Sequence, residues 1–444
     1  MKNKLFIFMC IVAAAVIRLY KIGLIKCIAP DGVAYIAAAK DLAAGYGFNP
    51  IWPPLYPWFI SIFLKFNINS ELCGQIVSVV FGTALVAVLY ICASRIFPAP
   101  ISVIVTALAV IHPFLVRYSA EVLSDSVFTF LITAVVFIGW FAISKQSALL
   151  FISCGLLSAL AYLTKPEGIF LIVIASFWWF FGTKMSWTKK ISALLVALIV
   201  LGAIILPYLY SIKKTTGQWK ISQKENVVFS TALMAEGYES EYLDVSPLQY
   251  AKDNPIMFLK KTAKSLMKLL SRIPDACHPL IFVFLIIGLL SGVREKKFLL
   301  YAMSFLLFYF AGYAIFHPGR RYLVGWVPII MFIPAYGMVF LSKSRVNMLR
   351  IIIVVSMLII LPKTFEIIRE DGEGWKIAGE WIKNNYGSNK NILFEDGRVI
   401  YYADGKGIST ADSDVVDFTV TSVKRPEGGQ VFETKSGVVV YSER

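Results

Sequence analysis

The sequence predicts a polytopic α-helical membrane protein of about eleven spans, with an interfacial loop after the first span and a small α/β domain after the last. Three observations carry that prediction. Mean hydropathy is +0.70, and the 444 residues are 58% hydrophobic and 16% charged, a balance that no ordinary soluble domain has. Apolar runs recur from residue 4 to residue 362, many near the ~20 residues needed to cross a bilayer core. Beyond them the character changes: residues 363–444 carry 11 Lys/Arg against 14 Asp/Glu, net −3, while residues 1–362 carry 32 against 14, net +18. The basicity belongs to the membrane part and gives no argument for nucleic acid.

The first run, residues 4–24, lacks a small-residue cleavage site and reads as a retained anchor. The further candidate spans are residues 72–97, 99–115, 121–143, 147–163, 167–182, 189–210, 276–292, 297–316, 321–342 and 346–362, with 55–66 as a juxtamembrane helix. Connecting segments alternate in charge. Lys2, Lys4, Arg95, Lys145, Lys184, Lys189, Lys190, Arg294, Lys296, Lys297, Lys343, Arg345 and Arg350 fall on one side, with Glu295 the single acid there. By the positive-inside rule that side is cytoplasmic, so the N-terminus is cytoplasmic and the tail lies outside, as expected for a bacterial inner-membrane protein. The six cysteines show no metal-ligand spacing. Cys10, Cys92 and Cys154 read as small core residues, and nothing in the spacing supports a disulfide among Cys27, Cys73 and Cys277.

The assignment sends the first loop (25–71) and the long connection (211–275) to the outer face. In the first loop, Ala34, Tyr35, Ala38, Leu42 and Tyr46 recur at helical spacing after Asp31, so a short helix should lie in the interface and end at Gly45 and Gly47. Trp52, Tyr56 and Trp58 supply rings of the kind that settle at headgroup depth. In the long connection, Ile256, Leu259, Ala263, Leu266, Met267 and Leu270 share a face opposite Lys260, Lys261, Lys264 and Lys268, the pattern of an amphipathic helix on the outer leaflet. The tail reads as a domain over 363–444, with a helix over Trp375 to Tyr386 and short strands around Asn391 to Glu395, Val399 to Tyr402, Asp417 to Ser422, Gln430 to Phe432 and Val438 to Tyr441.

The outer segments also hold most ionisable groups near the membrane, together with His112, His278 and His317. Such groups are costly at membrane depth and face a cavity or a partner, which points to one outward polar site. Arg117, Glu121 and Asp125 stand at i, i+4 and i+8 and can share one side of the helix that begins the fourth span, Arg117 clamping Glu121. Read blandly, they are acids welcome in a first helical turn. In the turn Thr164 to Gly168, Lys165 can reach a phosphate with Glu167 balancing it, and Arg320 and Arg321 offer paired guanidinium donors. Each is equally readable as a snorkelling anchor. A carboxylate base beside cations at headgroup depth suits sugar transfer from a polyprenyl phosphate: the phosphate leaves among Lys and Arg while a carboxylate deprotonates the attacking hydroxyl.

The ordered set of Asp31 with Tyr35 and Gly45, the WPPLYP segment, HPFLVRYSAEVLSD (112–125), YLTKPEG and HPGRRY resembles the polytopic GT-C glycosyltransferases related to family 39, which include protein O-mannosyltransferases and aminoarabinose lipid A transferases. The resemblance implies an inverting, metal-independent or weakly metal-dependent transfer to a glycan, lipid or protein acceptor, with Asp31 as the catalytic first-loop aspartate. It makes Glu121 and Asp125 further acids of the site, and Lys165, Arg320, Arg321, Arg117 and Arg18 donor-phosphate ligands. Tyr35, Glu167, His317 and Tyr322 would line the sugar or acceptor pocket, Tyr35 being equally readable as a packing residue. Many relatives carry a second acid directly after the first. Gly32 stands there in this chain, so that role is vacant or moved to Glu121 or Asp125. No cofactor is required. A divalent ion between Asp31 and Asp125 is compatible with the chemistry, though no ligand cluster demands one. A lipid-linked glycan flippase, a polysaccharide polymerase and an assembly or receptor protein are the competing readings.

Overall fold

The computed structural model describes residues 2–234, 246–316, 319–343, 345–408, 416–423 and 429–443. Among the described residues, six helices are long and apolar enough to cross a bilayer: Lys4–Ile22, Ser70–Ile96, Asp125–Ser144, Trp187–Thr216, Lys296–Ile315 and Val346–Thr364. The other five predicted spans fall on shorter or bent apolar helices, Ala99–Ile111, Ala148–Tyr162, Pro166–Gly182, Val327–Leu341 and a pair bent by 106° between Pro255–Cys277 and Pro279–Ser291. The bend sits at His278, whose φ of +72° is a conformation that non-glycine residues rarely adopt, followed by the helix-starting Pro279. The chain is thus an integral membrane protein.

The helix Asp125–Ser144 is the axis of the apolar core. Val127, Ile132, Val135, Val136 and Ala142 on it are fully buried, whereas the first and last long helices turn Leu5, Phe8, Ile351 and Leu358 outward. That outward apolar surface is what a lipid-facing helix requires. Small residues set how closely helices approach. A Cβ on Gly288 would lie 2.0 Å from the Ile333 carbonyl oxygen, and one on Gly337 would lie 2.1 Å from that of Phe284. The helices Pro279–Ser291 and Phe332–Leu341 therefore touch backbone to backbone, as membrane helices do where side chains are absent.

The helix that begins the fourth span does not reach back to Arg117 and Glu121: Pro113–Tyr118 ends, residues 119–124 turn, and a new helix starts at Asp125. Arg117 and Asp125 consequently do not share a helical face. The turn is held by Ser78 Oγ donating to the Leu123 carbonyl at 3.2 Å and by Ser126 Oγ donating to the Ser78 carbonyl at 2.7 Å.

The interfacial helix after the first span is Pro30–Ala43, stopped by Gly45 and Gly47 at φ of +82° and +92°. The amphipathic helix is Pro255–Ser271. Its Lys261 does not lie on a solvated face; it is buried and donates to the carbonyls of Ala314, Ile315 and Phe316, the acceptor end of the helix Lys296–Ile315.

At the C-terminus, β1 (Asn391–Phe394), β2 (Lys406–Ile408), β3 (Phe418–Thr421), β4 (Gln430–Glu433) and β5 (Val439–Ser442) form a sheet in the order β2-β1-β3-β5-β4, parallel around β1 and antiparallel around β5. The helix Glu373–Tyr386 covers it, burying Ala378 and Ile382 with Ile392, Phe418, Val420 and Val440. Val399 to Tyr402, expected as a strand from its β-branched and aromatic residues, lies in the helix Gly397–Ala403, because Asp396 caps it through the Arg398 amide at 2.9 Å. All six cysteines are free thiols.

Candidate active site

Asp31 occupies the first turn of the helix Pro30–Ala43, where the helix dipole favours a carboxylate. Asp125 starts its own helix in the same way. Between them stands Arg321, from the short helix Arg320–Val324. Its Nη1 donates to Asp31 Oδ2 at 2.7 Å, while Nε and Nη2 donate to Asp125 Oδ2 at 2.8 and 2.5 Å. Lys165 Nζ completes the cluster at 2.9 Å from Asp125 Oδ1, stacked 5.4 Å from the ring centres of both Phe128 and Tyr322.

Exposure separates the two acids. The Asp31 side chain is 41% exposed and that of Asp125 6%, so Asp31 is the acid that a substrate can reach and Asp125 is the fixed anchor of the two cations. Tyr35 is buried, with its hydroxyl 2.8 Å from Ser124 Oγ and its ring edge-on to Trp52 and Tyr56. It packs the helix bearing Asp31 against the turn that leads into Asp125.

Other predicted residues lie elsewhere. Glu121 has a fully buried side chain, paired with Arg369 Nε at 2.7 Å and with Arg117 at 3.5 Å, an ion pair too long for a hydrogen bond. A carboxylate sealed between two guanidinium groups is a structural ion pair and not an available base. Arg117 stays with it. Arg18, fully buried, donates to the carbonyls of Ala14, Ala109 and Val110 at 3.2 to 3.3 Å, tying the first helix to the helix Ala99–Ile111, so it is no phosphate ligand. Arg320 pairs with Asp275 and lies 4.4 Å from the Phe114 ring centre, so its guanidinium is directed away from the aspartates that Arg321 holds. Glu167 accepts a hydrogen bond from Tyr309 Oη on its backbone oxygen at 2.7 Å. Tyr322 lines the Lys165 wall, and His317 lies outside the described residues.

One member has no signal in the sequence. Lys224, at the start of the helix Lys224–Met234, places Nζ over the Trp52 ring. Burial lowers its ammonium to about 8, Asp31 opposing that shift and Arg321 and Lys165 adding to it. It thus belongs to the same electrostatic cluster.

Gly32 has a steric reason. A Cβ there would sit 2.9 Å from Ile28 Cγ1 and 2.9 Å from the Val122 carbonyl oxygen. The position has no room for a second acid, and the nearby acid is Asp125. Arg321 holds one oxygen of each carboxylate, and no group of three His, Cys, Asp or Glu gathers among the described residues.

The comparisons show the fold, which this chain shares with solved structures of ArnT and of an archaeal oligosaccharyltransferase. Residues 52–210 match the family model described as dolichyl-phosphate-mannose-protein mannosyltransferase. ArnT from Cupriavidus metallidurans bound to undecaprenyl phosphate superposes with a TM-score of 0.60 at 12% identity, over 98% of this chain and 97% of that one. The apo oligosaccharyltransferase from Archaeoglobus fulgidus superposes with a TM-score of 0.61 at 11% identity, over 94% of this chain and 69% of that one. No curated protein matches the sequence.

Proposed function

We propose that this protein is an inverting glycosyltransferase that moves a sugar from a polyprenyl monophosphate to an acceptor hydroxyl, with the site opening at the extracytoplasmic face of an eleven-span membrane domain. The observation that carries the reading is Arg321 held between an exposed and a buried carboxylate with Lys165 alongside. In the resting arrangement Arg321 neutralises Asp31. An arriving donor phosphate competes for that guanidinium, which binds phosphate through paired donors, and frees Asp31. Asp31 then takes the proton of the acceptor hydroxyl as its oxygen bonds to the sugar C1, and the bond from C1 to the phosphate oxygen breaks. The leaving phosphate gains negative charge opposite Arg321, Lys165 and Lys224, cations already oriented by Asp125 and Trp52.

The fold of ArnT, whose solved complex contains undecaprenyl phosphate, supports the choice of carrier. The test is incubation of the purified protein with radiolabelled polyprenyl-phosphate sugars and candidate acceptors. Label should leave the lipid only when acceptor is present, and Asp31→Asn should abolish transfer while donor binding and the folded state persist. Wild-type rates in Asp31→Asn would reject Asp31 as base. Movement of intact lipid-linked sugar across the membrane without transfer would favour a flippase.

A further inference from the structure

A cavity rimmed by basic residues lies at the other end of the helix that Asp125 begins. That helix runs 20 residues to Ser144, roughly 30 Å at ~1.5 Å per residue, the thickness of a bilayer's hydrocarbon core. Its C-terminal end, with the following Lys145, supplies Trp140, Phe141, Ser144 and Lys145 to a cavity of about 750 Å³, completed by Arg95, Ile96 and residues 294–298.

Five of the lining residues, Arg95, Lys145, Arg294, Lys296 and Lys297, are cations, and none makes a salt bridge among the described residues. The single acid, Glu295, accepts a hydrogen bond from Tyr336 Oη. Lys296 and Lys297 also open the helix Lys296–Ile315, with Glu295 in the N-cap position making no side-chain cap. Cations at a helix N-terminus oppose its dipole, and the first amides lack helical acceptors. An anion at that point relieves both. Trp140 and Ile96 give the cavity an apolar wall, backed by the fully buried Phe298, which contacts Phe137, Trp140 and Tyr301.

We propose that this cavity binds the phosphate headgroup of an anionic phospholipid from the leaflet opposite the Asp31 site. The cations and the uncapped helix start take the phosphate, and the wall of Trp140 and Ile96 takes the first part of the acyl chains. A basic pocket between helices at one membrane surface is the arrangement that selects acidic headgroups.

The test places the full-length protein in detergent with equimolar phosphatidylglycerol and phosphatidylcholine, then counts retained lipids by native mass spectrometry. The wild type should retain phosphatidylglycerol in preference. The variant Arg95→Gln/Lys296→Gln/Lys297→Gln should lose that preference by on the order of tenfold or more. The variant Lys343→Gln/Arg345→Gln, which removes basic residues outside the cavity, should keep it. Equal retention of both lipids by the wild type, or loss of preference in both variants alike, would overturn the proposal. So would stabilisation by inorganic phosphate with no lipid preference, since that marks a site for soluble phosphate. Elution of the triple variant as a monodisperse peak separates lost binding from lost folding.

Discussion

Arg369 Nε reaches Glu121 at 2.7 Å, joining the segment that follows the last long apolar helix to the turn that leads into Asp125. Arg369 holds a left-handed backbone, φ +66°, to make the contact. Parallel ties reinforce it: Ile25 and Ile368 form a β-bridge, and the Tyr402 hydroxyl accepts from the Ile28 amide at 2.9 Å while lying 3.0 Å from Glu71 Oε2. The C-terminal sheet and helices are thereby fixed to the loop that carries Asp31.

Because Glu121 is sealed from solvent, Arg369→Ala should destabilise the protein by about 3 kcal/mol, the range for breaking one side of a buried pair. The double variant Arg369→Ala/Glu121→Gln should recover part of that loss, since the uncompensated charge is gone. Thermal unfolding in detergent measures both. Equal melting of the two variants would mean that the charge on Glu121 is already balanced by Arg117.

Arg321→Lys should lower kcat/KM by roughly a hundredfold. One ammonium cannot span both carboxylates or present paired donors to a phosphate, and loss of one oriented donor to developing charge carries about that cost. The folded state should survive, because Lys165 still neutralises Asp125. Steady-state transfer assays on the purified variant decide the point.

Lys224 gives a pH signature. Its ammonium sits near 8, below the ordinary 10.5, so raising pH through 8 removes a positive charge from the site. Donor KM should therefore rise by about fivefold between pH 7 and pH 9.5, and Lys224→Arg, which stays charged, should flatten the rise. Stability moves the other way. With the folded value depressed, the unfolded chain holds more protons between about 8 and 10.5, so this group's contribution to stability grows with pH across that window. A rise in KM at high pH is then weaker binding and not unfolding.

Much of the fold was legible because lipid imposes a simple rule: long apolar runs with polar turns cannot be much else. Asp31, Asp125, Lys165 and Arg321 stood out as ionisable groups at the ends of such runs, and the structure draws these four together. Less visible were features decided by tertiary contact. Arg18 looks like an outer cation until the carbonyls of Ala109 and Val110 are beside it. The i, i+4, i+8 spacing from Arg117 to Asp125 suggested one helix, yet hydrogen bonds to Ser78 hold a turn between them. Lys224 lies in a mixed-charge connection with no periodicity to single it out, and only packing over Trp52 reveals it. Val399 to Tyr402 has strand composition, but the Asp396 cap makes it helical.

The crowding around Gly32 sets a rule for exchanging parts between this chain and proteins that carry two adjacent acids. Gly32→Asp alone would drive a side chain into the backbone oxygen of Val122, which cannot retreat without moving the Asp125 turn. A working chimera must import both segments at once, because they were shaped as a lock and its keyhole.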